Sequence, residues 1–119
     1  MTKAVLLGVL LATVAKNHSG LERPASEADL LRAFGYASCL AEAYKNTPFG
    51  HDAQRVADLY RQMGKLAIEP YNDIHKVAGS LDAAKPAIVD GNNYAIMACL
   101  EFYESAKLKS LARSGATKK

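Results

Sequence analysis

The side chains with the greatest chemical potential in this chain are two cysteines, Cys39 and Cys99, and three histidines, His18, His51 and His75. A thiol beside an imidazole makes a nucleophile with its base, and Cys39 with His51 or His75 would be such a pair. No local signature supports it. Both cysteines fall in the middle of helical patterns, where a nucleophile is poorly exposed. Metal binding fares no better. His51-Asp52 and Asp73-x-His75 lack the i, i+4 or paired-cysteine spacing that makes ligands converge. Glu101 and Glu104 share the solvated side of a helical stretch, which is sufficient reason for them. Phosphate loops, nucleophile elbows and dinucleotide fingerprints are missing from the sequence. The reading is therefore no catalytic residue, no metal and no cofactor. Two readings of the cysteines stay open, set by the compartment. In an oxidising compartment they favour a disulfide that closes a loop of about 60 residues, worth about 4 kcal/mol by chain entropy. In a reducing one they stay two buried thiols.

The elements that must position these residues are helical. Between Leu30 and Tyr44, the residues Leu30, Phe34, Ala37, Ala41 and Tyr44 fall on one stripe at 100° per residue. The other side is not polar. It carries Leu31, Gly35 and Cys39, a small, narrow ridge that lets another helix approach closely. A helix without a continuous polar side is buried between neighbours, so this is the central helix. Ser26 is its N-cap, with Glu27 and Asp29 near the positive end of the dipole. Asn46-Thr47-Pro48-Phe49-Gly50 stops it, and either Thr47 with Pro48 or Asp52 caps the next helix.

Helix two is expected over about Asp52 to Leu66, with Val56, Leu59, Tyr60, Met63 and Ala67 as its core stripe. Asp58 and Arg61 are spaced to pair on its outer face. Helix three starts at Pro70 and buries Tyr71, Ile74, Val77, Ala78 and Leu81. Residues Asp82 to Asn93 form the longest candidate loop. Helix four runs from about Tyr94 to Ala112, with Ala95, Ile96, Cys99, Leu100, Tyr103, Ala106 and Leu111 on one broad face. The fold class is all-α, a compact bundle of about four helices.

Charge and hydropathy narrow the function further. The net charge of +3 is uneven. Five of the fifteen cationic residues lie between Lys107 and Lys119 without an acid among them, which leaves ten cations against twelve acids elsewhere. That tail reads as a solvated C-terminus. With no basic patch interleaved with aromatics, nucleic-acid binding is rejected. At the other end, Met-Thr-Lys precedes the apolar run Ala4 to Ala15. It is too short for a comfortable membrane span, which needs about 20 residues, so no stable membrane anchor is expected. It reads as a secretory signal cut after Ala15, leaving residues 16–119 as a single helical domain.

Three pieces taken in order resemble a known family. The first is Tyr36-Ala37-Ser38-Cys39-Leu40. The second is Tyr60-x-x-x-Gly64. The third and most specific is Cys99-Leu100-Glu101-Phe102-Tyr103-Glu104-Ser105-x-x-Leu108. With the signal-like leader and this length, the sequence resembles the type VI secretion amidase immunity proteins. The resemblance implies a non-enzymatic, all-helical periplasmic inhibitor that binds a cognate peptidoglycan-cleaving amidase effector and occludes its active site. It further implies a homodimer, a loop that enters the effector's cleft, and a disulfide between Cys39 and Cys99. No matched motif identifies the inhibitory residues. The physical reading places them in the loop at 82–93, with Lys85, Asp90, Asn92 and Asn93 as polar contacts. A second candidate is the turn from Asn46 to His51, with Phe49 as an aromatic anchor. The rival reading is a periplasmic adaptor or chaperone-like module that works through an apolar groove.

Overall fold

The computed structural model describes residues 26–81, 88–89 and 92–117, with the backbone alone for 88–89 and 92–93. Five helices follow in order: α1 Glu27–Ala43, α2 Pro48–Met63, α3 Glu69–Ser80, α4 Ala95–Glu104 and α5 Ala106–Ala116. Between α3 and α4, β1 Ile88–Val89 pairs antiparallel with β2 Asn92–Asn93, Ile88 opposite Asn93 and Val89 opposite Asn92. The other helices gather around α1, which packs against all four of them. The leader Ala4 to Ala15 and its cleavage position lie outside the described residues.

The narrow ridge of α1 accounts for its central place. A methyl group added at Gly35 would stand only 3.0 Å from a Leu108 methyl and 3.1 Å from Ile74, so α3 and α5 both close down on this side. Leu31, Cys39, Ile74 and Leu108 are fully buried there. On the stripe side Phe34 meets the edge of Tyr71, ring centres 5.1 Å apart, an orientation favoured by the ring quadrupoles. The helix begins as its sequence dictates, Ser26 accepting a hydrogen bond from the Asp29 N–H at 3.0 Å.

The Cys39 and Cys99 sulfurs are bonded, with the Cα atoms 5.7 Å apart and both residues fully buried. The bridge fixes α4 against α1. Arg32, about two turns closer to the N-terminus of α1, makes a second attachment. It donates to the Tyr103 carbonyl at 2.9 Å, lies 4.1 Å over the Tyr103 ring and pairs with Glu104 at 3.5 Å. A cation at the C-terminal end of α4 complements the carbonyls that the helix leaves unpaired.

Helix four, expected to run unbroken to Ala112, is interrupted at Ser105. Ser105 is extended, with ψ 146°. Its N–H and its hydroxyl both donate to the Phe102 carbonyl, at 3.0 and 2.6 Å. The Ser105 hydroxyl oxygen also accepts from the Leu108 N–H at 3.1 Å. One serine thus closes α4 and opens α5. The apolar pattern passes through the break undisturbed, because Phe102 and Leu108 are buried on either side of it.

Helix two starts earlier than Asp52. Thr47 is the cap, accepting from the Gly50 N–H at 3.0 Å, and Pro48 takes the first turn. The expected stripe is also corrected. Gly50, Ala53 and Ala57 are the buried residues of α2, whereas Val56, Leu59 and Met63 are exposed. The small residues let α2 lie close to α1, and the larger apolar residues are left on its flank. Asp58 and Arg61 do approach, at 3.6 Å, as a solvated pair, a type of contact worth little.

Gly64 has a definite role. A methyl group there would overlap the Tyr71 hydroxyl and stand 3.1 Å from Glu27 Oε2. The other Glu27 oxygen accepts from the Lys65 N–H at 2.8 Å, tying the start of α1 to the α2–α3 link. Burial, and secondarily the Glu27 carboxylate, push the Tyr71 phenol above its ordinary pKa.

Two outcomes follow. Reducing the Cys39–Cys99 bridge should lower unfolding stability by about 4 kcal/mol, read from urea titrations of oxidised and reduced protein. Gly64→Ala should cost about 1–3 kcal/mol, the range for overpacking. In a Tyr71→Phe background, which removes the overlapped oxygen, the same substitution should cost less; an additive double-mutant cycle would refute the contact.

Candidate partner-binding surface

The hairpin formed by β1 and β2 occupies part of the expected loop at 82–93. Its Asn92 and Asn93 form β2, opposite Val89 and Ile88. Lys85 and Asp90 lie outside the described residues. The sequence held a signal for pairing here, since Asp90-Gly91 between apolar and polar pairs is a two-residue hairpin dipeptide. The hairpin leads almost directly into α4, whose Cys99 is one turn from its start at Ala95. The helix that follows β2 is therefore joined to the central helix by a covalent bond.

The α1–α2 turn is built by short hydrogen bonds. Thr47 Oγ1 donates to the Tyr44 carbonyl at 2.5 Å and accepts from Gly50. Asn46 takes φ 66°, the left-handed region that asparagine tolerates. Gly50 cannot carry a side chain, because a Cβ would overlap the Tyr44 carbonyl oxygen. This turn holds Phe49 at 46% exposure with its ring edge-on to Tyr44, centres 4.8 Å apart. Phe49 is thus half-exposed and oriented, rather than part of the core.

Phe49 forms one end of an apolar groove of about 240 Å³ between α1 and α2. Tyr36, Leu40, Val56 and Tyr60 line it, and Asp52 is its one charged lining residue. Tyr36 also meets Tyr103 edge-on at 5.8 Å, so the floor of the groove reaches α4. Beyond it, α4 exposes Ile96, Met97 and Leu100, two of which had been expected in the core. Only Ala95, Cys99 and Phe102 of α4 are buried. Sequence periodicity does not separate these positions, because α4 is apolar around most of its circumference.

The thiol–imidazole alternative is excluded by the bridge: Cys39 has no free thiol. His51 and His75 are exposed, as surface residues should be, and His18 lies outside the described residues. Among the described residues no group of three or more histidine, cysteine or carboxylate side chains is arranged for a metal ion, and no helix is long and apolar enough to cross a membrane.

The three sequence motifs now have physical meanings. Tyr36 to Leu40 supplies the groove floor and one half of the bridge. Gly64 admits Tyr71. Cys99 to Leu108 supplies the other half of the bridge, the Arg32 attachment, the double cap at Ser105 and the Leu108 contact with Gly35. No curated protein and no solved structure matches the chain. A family model for type VI secretion system (T6SS) amidase immunity proteins matches residues 29–112, a span that starts in the first turn of α1, ends in α5 and holds all three motifs. With the larger part of its length matched in this way, the chain belongs to the T6SS amidase immunity protein family.

Proposed function

We propose that this protein is a periplasmic, non-enzymatic inhibitor that binds a cognate peptidoglycan amidase effector and occludes its active site. The family match over residues 29–112 carries the reading. Residues 1–15 serve as the export signal, and the buried disulfide suits an oxidising compartment. Occluding a cleft calls for an element held in advance, because ordering it on binding would consume affinity. Within the segment 82–93, Asn92–Asn93 lead into α4, which the bridge ties to α1. Lys85, Asp90, Asn92 and Asn93 are the segment's polar contacts, and Phe49 is a second anchor beside the apolar groove. The exposed apolar flanks of α2 and α4 offer surface for a homodimer, the assembly expected of the family.

The adaptor reading draws on the same groove, which is open and apolar. The two separate on the number and tightness of partners. An inhibitor holds one enzyme tightly; an adaptor captures several unrelated chains and stops no reaction.

The test is co-purification with the amidase encoded beside this gene, followed by a peptidoglycan cleavage assay. The oxidised protein should form a stable complex and abolish cleavage. Asp90→Ala, Asn92→Ala and Asn93→Ala combined should leave a folded protein whose inhibition is weaker by roughly tenfold or more, about 1.4 kcal/mol. Unchanged inhibition would remove the 82–93 segment from the interface, and Phe49→Ala would then be the informative variant. Absence of both complex and inhibition would favour the adaptor.

A further inference from the structure

A polar cleft of about 180 Å³ also opens at the α1–α2 turn, built from three helices. Ser38 and Glu42 come from α1, Lys45 from the turn, His51 and Gln54 from α2, and His75 from α3. Two observations set it apart from an ordinary wet surface. Ser38 is only 2% exposed and its hydroxyl has no hydrogen-bond partner. A serine inside a helix normally turns its hydroxyl to solvent or back to the preceding turn, and an unpaired buried hydroxyl is unfavourable. Alanine at this position would avoid that penalty. Second, four ionisable side chains, Glu42, Lys45, His51 and His75, line the same small space, and none makes an ion pair or hydrogen bond among the described residues. Unpaired charges are common on this surface, as Asp29, Glu69, Asp73 and Glu101 show, so what distinguishes the cleft is that charges of both signs stand around the buried Ser38 hydroxyl.

We propose that this cleft binds a small zwitterion with an ammonium beside a carboxylate, the head group of a free amino acid. Glu42 receives the ammonium. Lys45 and the imidazoles of His51 and His75 face the carboxylate, and the Ser38 hydroxyl gives it the buried hydrogen bond. The charge pattern selects this ligand. A simple anion would meet Glu42 as well as Lys45, and a simple cation would meet Lys45. A zwitterion satisfies both signs and adds no net charge to the site. Metal binding is disfavoured by Lys45 and by the lack of a converging set of three ligands. The volume suits a ligand from the size of alanine to that of glutamate. The inference goes beyond the inhibitor reading and does not depend on it.

The experiment is a titration of the oxidised, purified chain with alanine or glutamate, followed by the imidazole proton resonances in NMR. His51→Gln and His75→Gln assign the two signals. Acetate and methylammonium serve as single-charge probes. Saturable shifts of both signals in the millimolar range are expected for the amino acids. Acetate and methylammonium should bind roughly tenfold more weakly or less. Glu42→Gln and Ser38→Ala should each weaken amino-acid binding roughly tenfold, and Glu42→Gln keeps the test valid if the buried Ser38→Ala unfolds. No shift of the His51 and His75 signals up to about 50 mM amino acid would overturn the proposal. So would acetate binding as well as alanine, or binding indifferent to Glu42→Gln.

Discussion

The close approach that α1 permits along Leu31, Gly35 and Cys39 is the constraint on which the rest of the molecule depends. A 17-residue helix contacted by four others cannot present a polar side to each of them. It needs a surface thin enough for backbones to come near. Gly35 provides this beneath Leu108 and Ile74, and Cys39 replaces a packing contact with a bond. A larger residue at Gly35 would move α3 and α5 together, since both touch the same point. Interiors are packed too densely to absorb a methyl group without displacement. Arg32 then adds a directional contact where the bridge alone would leave α4 able to swing about the sulfur bond. The bridge holds the middle of α4, at Cys99, and the guanidinium its C-terminal end, at Tyr103–Glu104.

Much of this frame was legible in the sequence. Caps are local chemistry, so Ser26 and Pro70 mark helix starts to within a residue of where the structure has them, whereas Thr47 with Pro48 is one of two candidates and the expected helix begins only at Asp52. The central helix was legible because its ridge and stripe leave no polar side. The pairing of Cys39 with Cys99 followed from export and from the family likeness rather than from geometry. The break at Ser105 was not legible, because a 3.6-residue period continues across it. What ends α4 is a side chain competing for the Phe102 carbonyl, and periodicity is blind to that. The faces of α2 and α4 were misplaced for a related reason. Periodicity shows which residues are apolar. It cannot tell whether a helix will be held by its large residues or by its small ones. In α2 the alanines win, since Ala53 and Ala57 allow contact with α1 that Val56 and Leu59 would prevent.

The candidate site was less legible than the fold. Residues 82–93 read as a loop, and the pairing of β1 with β2 is not foreseen there, although Asp90-Gly91 is a hairpin dipeptide. Phe49 reads as an anchor on the condition that it is not core, and its 46% exposure meets that condition. The polar cleft had no sequence signal at all. Ser38, Glu42, His51 and His75 come from three helices, and each alone is an unremarkable helix residue. Only the packing of α2 and α3 on α1 brings them together. Arg32 escaped notice in the same way. Its partners lie 71 and 72 positions away, outside any helical spacing rule.

The α2 arrangement has a consequence for recognition. Burying the alanine side of the helix and exposing Val56, Leu59 and Met63 sacrifices hydrophobic stabilisation that the opposite rotation would have gained, at roughly 25 cal/mol per Å² of apolar surface. The bridge can compensate for part of that loss, because its contribution arises largely in the unfolded chain and does not require a larger core. A small protein stabilised in this way can keep apolar surface outside without losing its fold. The same bond that joins α1 to α4 therefore allows α2 and α4 to keep apolar side chains exposed. Rigidity and exposed surface, which usually compete in a domain of this size, are here supplied by different residues.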